Sequence, residues 1–271
     1  MGRILLQALL AIVLIGFISC KPAFEKIRTS GDSKLIYEKA NAYYEDEEWY
    51  KAQQLFEMLI NSYRGKVKAE EVYFKYAYTH YNLDQFILAK YYFKSFAKTF
   101  PNSVNREEAD FMQAHAMFQQ SSDYRLEQQS TAEAIDLFQQ FADTYPKSDR
   151  VKKCNQLIVE LRSKLEKKAF EEGYLYYKMG DYQAATISFE NLLKDFPESK
   201  DVERVRFLIV KGNYELSRKS IISKQRERYE NALVYAKLFK HKYRKSKYLA
   251  EVNTMMKNTL NKINKLKKNG Y

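Results

Sequence analysis

Small and aromatic residues recur along this chain in a fixed order that a helix would place on one face. Ala52, Ala89, Ala134, Ala185 and Ala232 are each followed four residues later by Phe56, Phe93, Phe138, Phe189 and Ala236. Eleven residues after each alanine comes an aromatic: Tyr63, Phe100, Tyr145, Phe196 and Tyr243. Offsets of four and eleven fall on the same side of an α-helix. Three of these aromatics open a proline phrase that would stop the helix: Thr99-Phe100-Pro101-Asn102-Ser103, Thr144-Tyr145-Pro146-Lys147-Ser148 and Asp195-Phe196-Pro197-Glu198-Ser199. Twelve residues before the alanine stands another small residue in three copies, Ala40, Ala77 and Gly173; in the third and fifth copies Ala114 and Gly212 stand twenty before. The pattern predicts five helix hairpins whose small residues allow close approach, with an eight-residue insert in two of them expected as loop. Leu249, Val252, Met255, Met256, Leu260 and Ile263 then keep helical spacing, which predicts a capping helix after the last hairpin.

These offsets are similar to those of the tetratricopeptide repeat, over residues 33–246. The resemblance implies an all-α fold, a right-handed α-solenoid of five hairpins plus a C-terminal capping helix. In such solenoids the first helix of each hairpin lines a concave groove through positions three before, one after and four after its small residue. Here these are Tyr37, Asn41 and Tyr44; Phe74, Tyr78 and Tyr81; Phe111, His115 and Phe118; Phe170, Tyr174 and Tyr177; and Ile209, Asn213 and Leu216. Tyr and Phe dominate, so the row offers large contact area at low side-chain entropy cost and suits an extended peptide with apolar and aromatic side chains. The competing role for any single ring is packing against the next repeat. The groove candidates are Tyr37, Tyr44, Phe74, Tyr78, Tyr81, Phe111, His115 and Phe118. His115 has only Glu108 and Asp110 behind it on its helix, and is expected to be a groove or packing residue, not a metal ligand.

Composition agrees with long helices, since 271 residues contain only 8 Gly and 4 Pro. The amino terminus is different in kind: Arg3 is its only charge, and residues 4–18 are apolar apart from Gln7 and Gly16. This is the pattern of a secretory signal peptide, shorter than the ~20 apolar residues a membrane span needs. Phe17-Ile18-Ser19-Cys20 resembles a bacterial lipobox, which implies that Cys20 becomes the mature N-terminus and carries acyl groups such as palmitate. Several acyl chains hold a protein to a membrane where one barely does. With Cys20 lipidated, Cys154 has no disulfide partner, and Leu157 and Ile158 beside it predict a buried thiol. Lys21 in place of Asp after the cysteine points to the outer membrane, and the lack of an acidic run points to its periplasmic face. The expected partition is residues 1–19 signal peptide, 20–32 lipidated linker, 33–246 repeats, and 247–271 basic capping helix and tail.

The net charge of +12 is concentrated at the end, where residues 237–271 hold eleven Lys or Arg against one acid, Glu251. Such a segment is either a solvated cap whose cations suit the helix terminus or a surface for an anionic partner. Secretion argues against nucleic acid. Glu45-Asp46-Glu47-Glu48 predicts a solvated turn in the first hairpin, and Glu70-Glu71, Glu107-Glu108 and Glu171-Glu172 are expected at helix starts. No phosphate loop, HExxH, GxSxG or CxxC motif occurs. A non-enzymatic protein with no metal and no cofactor beyond its acyl groups is expected.

A lipoprotein signal followed by five such repeats, lengthened in the third and fifth, resembles the BamD family of outer-membrane β-barrel assembly lipoproteins. The resemblance is carried by Gly173-Tyr174-Leu175-Tyr176-Tyr177-Lys178-Met179-Gly180-Asp181-Tyr182-Gln183-Ala184-Ala185 closing at Phe196-Pro197-Glu198-Ser199, and by Tyr37-Glu38-Lys39-Ala40 through Tyr50-Lys51-Ala52. It implies a subunit of the β-barrel assembly (BAM) complex. The first repeats would capture the aromatic-ended signal strand of unfolded outer-membrane proteins, and the last would dock the POTRA domains of BamA beside other BAM subunits. Docking candidates are Tyr174, Tyr177, Tyr182, Asn191, Arg204 and Asn213. Two other classes fit a lipid-anchored repeat protein: an envelope lipoprotein organising cell-wall or division complexes, and a surface glycan-uptake lipoprotein, which is usually much longer.

Overall fold

A computed structural model describes residues 23–269, and all their regular structure is helical. The segment expected as a signal peptide, and Cys20, lie outside the described residues. The hairpins fall where the offsets place them: α2 (Ser33–Glu45) with α3 (Trp49–Ser62), α4 (Ala69–Asn82) with α5 (Phe86–Thr99), and α6 (Arg106–Gln120) with α7 (Gln129–Thr144). The series continues with α8 (Val151–Met179) and α9 (Tyr182–Asp195), then α10 (Val202–Lys219) and α11 (Ile222–Lys242), and is capped by α12 (Leu249–Lys268). The stretch expected as linker contains a short helix, α1 (Ala23–Arg28), because Phe24 and Ile27 pack on the core of the first hairpin.

Two compact units divide the chain. Among the described residues, one comprises 23–121 with Asp136–Cys154, the other Ser122–Ile135 with 155–269. In the first unit each helix from α2 to α6 packs on its neighbour in sequence, and in the second α9 to α12 do the same. The spacing of small residues sets how closely they pack. A β-carbon added to Gly173 would stand 2.8 Å from two ring carbons of Phe189, a ring with no solvent exposure. One added to Gly212 would stand 2.8 Å from the Cγ2 of Thr186. Ala40, Ala77, Ala89, Ala114, Ala134 and Ala185 are completely buried, as are Phe56, Phe93 and Phe138. Cys154 is a buried free thiol, and burial pushes its pKa up to about 11.

The turns repeat as faithfully as the helices. Seven residues after the small residue, Glu47, Asp84 and Gly180 take left-handed φ angles of 57°, 56° and 82°. The N–H of the next residue then reaches back over the helix end, from Glu48 to the Tyr43 carbonyl, from Gln85 to that of His80 and from Asp181 to that of Tyr176. This wraps the last carbonyls of the first helix, as in a Schellman end. At the other end of the second, third and fourth hairpins, Ser103, Ser148 and Ser199 donate their hydroxyls at 2.5 Å to Glu70, Glu107 and Glu166. The same oxygens accept the N–H groups of Asn105, Arg150 and Asp201.

Of the remaining expectations, one is met and two are corrected. The insert of the third repeat is a loop, closed by the Gln128 amide donating to the carbonyls of Asp123 and Leu126. That of the fifth repeat instead lengthens α10 and α11, leaving only Ser220 and Ile221 between them. Ser121, Ser122 and Asp123 compete with the helix for backbone bonds, whereas Lys224, Gln225, Arg226 and Glu227 are strong helix formers. Finally, α8 begins at Val151, 22 positions before Gly173, where α4 and α6 begin eight before their alanines. Glu171 and Glu172 therefore sit inside a helix, exposed, and Glu166 takes the place that Glu70 and Glu107 hold.

The fit at Gly173 leaves no room for growth. Gly173→Ala should lower stability by about 1–3 kcal/mol, because the buried ring of Phe189 must shift. Thermal melting followed by circular dichroism tests this, and an unchanged midpoint would show that α8 and α9 are not held at this distance.

Candidate functional site

In the first unit the groove positions come together on α2, α4 and α6, and their neighbours do more than was expected. Tyr37 is buried, with its ring stacked on Tyr63 and its hydroxyl donating to Glu71 at 2.5 Å. It is thus a packing residue that presents little surface to a ligand. Tyr44, Phe74, Tyr78, Tyr81, Phe111, His115 and Phe118 are half-buried. The Tyr78 hydroxyl donates to Glu108 at 2.6 Å, and the Tyr81 hydroxyl meets His115 Nδ1 at 2.7 Å. Phe111 and Phe118 flank the imidazole at 5.6 and 5.7 Å. Each of these rings packs part of its surface against neighbouring side chains and leaves the rest in solvent.

Cations sit over several of the rings. Lys68 Nζ lies 3.9 Å from the centroid of Tyr37, Lys75 Nζ 5.0 Å from that of Tyr44, and the Arg150 guanidinium 4.5 Å from that of Phe111. Lys75 also donates to Asn41 Oδ1 at 2.6 Å and pairs with Glu45 and Glu71. Arg150 pairs with Glu108, which therefore holds both a tyrosine and an arginine. The exposed surface thus alternates aromatic edges with cations and carboxylates, a set of groups that can hold the backbone and side chains of an extended peptide together. The sequence marks Glu71 and Glu108 only as helix-start acids and does not single out Lys68, Lys75 and Arg150. Tyr37 and Tyr78 reach their glutamates across 34 and 30 residues, from different positions on their helices, so no single interval in the sequence announced these pairs.

In the second unit Phe170 and Tyr174 stack at 5.9 Å, Tyr174 and Tyr177 at 6.3 Å, and Tyr182 lies edge-on to Tyr177 at 5.3 Å. Arg204 covers Phe170 at 4.6 Å, repeating the arrangement of Arg150 over Phe111. Tyr174 and Arg204 line one cleft of about 600 Å³ together with Arg162, Glu166 and Lys167. The other docking candidates lie apart from this cleft. Tyr177 and Tyr182 continue the aromatic row, Asn191 is exposed on α9, and Asn213 spends its amide on the Ile209 carbonyl at 2.9 Å. Among the described residues no group of three or more His, Cys, Asp or Glu side chains forms a metal site, and no helix is long and apolar enough to cross a membrane.

Two consequences are measurable. Glu108→Ala strands the Tyr78 hydroxyl and Arg150 at once, and should cost about 1–3 kcal/mol in a urea titration, with Tyr78→Phe costing less. The second concerns His115, whose pKa is held below the ordinary 6.5 by burial first and then by Lys153 and Arg150, and His80, held below it by burial. Below pH 6.5 the unfolded chain binds protons that the native imidazoles refuse, so this stability is present above that pH and is lost as pH falls toward the native values. The melting midpoint should drop between about pH 7 and 5.5, and drop less in His115→Gln. An equal drop in that variant would assign the effect to other groups.

Residues 29–172 and 166–266 match the family YfiO, described as outer membrane lipoprotein. A protein of Aquifex aeolicus (strain VF5) described as "Putative outer membrane protein assembly factor BamD" is 27% identical over 240 residues, which cover 87% of this chain and 76% of that protein. Among solved structures, TTC0263, a thermophilic TPR protein of Thermus thermophilus, is 14% identical, with 84% of this chain and 99% of that one covered and a TM-score of 0.33. The apo form of RapI is 14% identical, with 86% and 83% covered and a TM-score of 0.35. The resemblance to BamD lipoproteins first carried by the repeat phrases is thus met by a family match that takes in most of the chain, which belongs to the YfiO family of outer membrane lipoproteins.

Proposed function

We propose that this chain is the lipid-anchored, periplasm-facing scaffold subunit of an outer-membrane β-barrel assembly complex, acting by binding and not by catalysis. Membership of the outer membrane lipoprotein family, together with the relative described as an assembly factor, carries this reading. Acyl groups on Cys20 would hold the repeats at the membrane, which concentrates them where barrel proteins insert.

The half-buried row of the first unit would receive the aromatic-ended signal strand of an unfolded barrel protein. Tyr44, Phe74, Tyr81, Phe111 and Phe118 offer apolar edges, while Lys75 and Arg150 supply cations for the strand's carbonyls or terminal carboxylate. In the second unit the cleft at Tyr174 and Arg204 offers a polar-rimmed, aromatic-floored seat for a POTRA domain of BamA. Phe170 and Tyr174 stacked under an arginine are the kind of anchor that dominates protein interfaces.

The experiment is a pull-down of the mature chain against purified POTRA domains of the same organism's BamA, with Tyr174→Ala and Arg204→Glu as variants. Saturable binding that weakens in both variants is expected. No binding by a folded chain would return the protein to the class of cell-wall or division scaffolds. For the first unit, Tyr44→Ala with Tyr81→Ala should weaken a fluorescent peptide ending in an aromatic residue by about tenfold or more, the loss of two partly desolvated rings. Unchanged affinity would sink the groove. Cys20→Ser should release the protein from the membrane fraction.

A further inference from the structure

The second unit holds another cleft, of about 730 Å³, built by α9, α10 and α11 and sharing no lining residue with the cleft at Tyr174 and Arg204. Its two long walls are helices that each present a stripe one turn apart. On α9 these are Glu190, Leu193 and Lys194; on α11 they are Tyr235, Leu238, Phe239 and Lys242. Ile209 and Val210 of α10 form the floor. Leu238 is 62% exposed, and Ile187 and Val234 on the same helices are half-exposed or more, an apolar outlay that folding of this chain does not use.

The charges around this apolar trough are one-sided. Glu190 is the only acid in the lining, and its carboxylate already accepts the Tyr235 hydroxyl at 2.5 Å. Lys194, Arg206 and Lys242 are exposed at the rim and take part in no ion pair among the described residues. The turn that follows α11 adds Arg244, Lys245 and Lys247, so the basic end of the sequence begins at the mouth of this cleft.

We propose that this cleft receives an acidic amphipathic helix of a partner protein. The α11 stripe at i, i+3, i+4 and i+7, beside the shorter α9 stripe at i, i+3 and i+4, forms the kind of groove that takes the apolar face of a third helix. Its carboxylates would face Lys194, Arg206 and Lys242, and the unbalanced charge would both speed encounter and fix register. This site goes beyond the assembly reading and does not rest on it.

The test places a photo-crosslinking amino acid at Leu238 of the full-length lipoprotein in its own cells, with the exposed Ile87 position as control. Mass spectrometry then reads the crosslinked segment. The expected product is a protein segment with an apolar helical stripe and net negative charge, and its yield should fall about tenfold or more when Arg206→Glu and Lys242→Glu are combined. Both residues are exposed, and an unchanged melting curve for the double variant excludes unfolding as the cause. Crosslinks to phospholipid, to a neutral or basic segment, at a yield no higher than at Ile87, or insensitive to charge reversal would each overturn the proposal.

Discussion

Paired helices in this protein stand as close as one missing or single β-carbon permits, and most of its other features depend on that distance. Where Gly173 faces Phe189, a methyl group would already overlap the ring. A phenylalanine one turn beyond the alanine of the second helix fills the space beside each small residue in four of the five repeats, completely buried each time. Close packing of this kind gains dispersion energy over many contacts while costing little side-chain entropy, because alanine and glycine have none to lose. It also fixes the height of each helix against its neighbour, so that polar groups thirty or more residues apart arrive within hydrogen-bond distance.

Those polar groups form a second system of restraint laid over the first. Serines after the prolines reach back to a glutamate on the first helix of their own hairpin, and tyrosines reach forward to a glutamate or histidine on the next. The two sets act at different places. The serine bonds hold the turn that starts each new hairpin, while the tyrosine bonds tie successive first helices along the aromatic row. A ring used this way keeps its hydroxyl occupied and one edge packed, so it is already ordered before any ligand arrives. Binding to a preordered surface costs less conformational entropy than binding to free side chains.

The offsets of the small residues and of the aromatics made the hairpins legible, because those intervals are fixed by helix geometry. Prolines made the ends of α5, α7 and α9 legible for the same reason. The length of α8 was not legible, since nothing in residues 151–165 breaks a helix and nothing there repeats an interval found elsewhere. The lengthened helices of the fifth repeat were hidden by an analogy of length: an insert of equal size forms a loop in one copy and helix in another, and local propensity decides between them. Of the candidate groove, positions were legible and duties were not. Tyr37 and Tyr78 occupy successive first helices at positions one turn apart, yet one is buried and the other half-buried, because Tyr37 stacks on Tyr63 while Tyr78 meets Phe74 and Phe93 edge-on.

The sequence's most conspicuous number, its net charge, also changes meaning once its location is known. Along the aromatic row of the first unit, Lys75 is matched by Glu45 and Glu71, and Arg150 by Glu108. Glu251, the one acid among the last 35 residues, is likewise taken by Lys211 at 2.8 Å. Pairing therefore leaves the carboxy-terminal cations more one-sided than the raw count suggests. On α12, Lys257, Lys262, Lys265 and Lys268 share the side turned away from the buried Val252, Met255, Ile263 and Leu266, where they serve a solvated cap. The cations beside the α9 and α11 cleft differ in that an apolar trough lies between them, and that combination of one-sided charge and exposed apolar surface is what the proposed helix seat rests on.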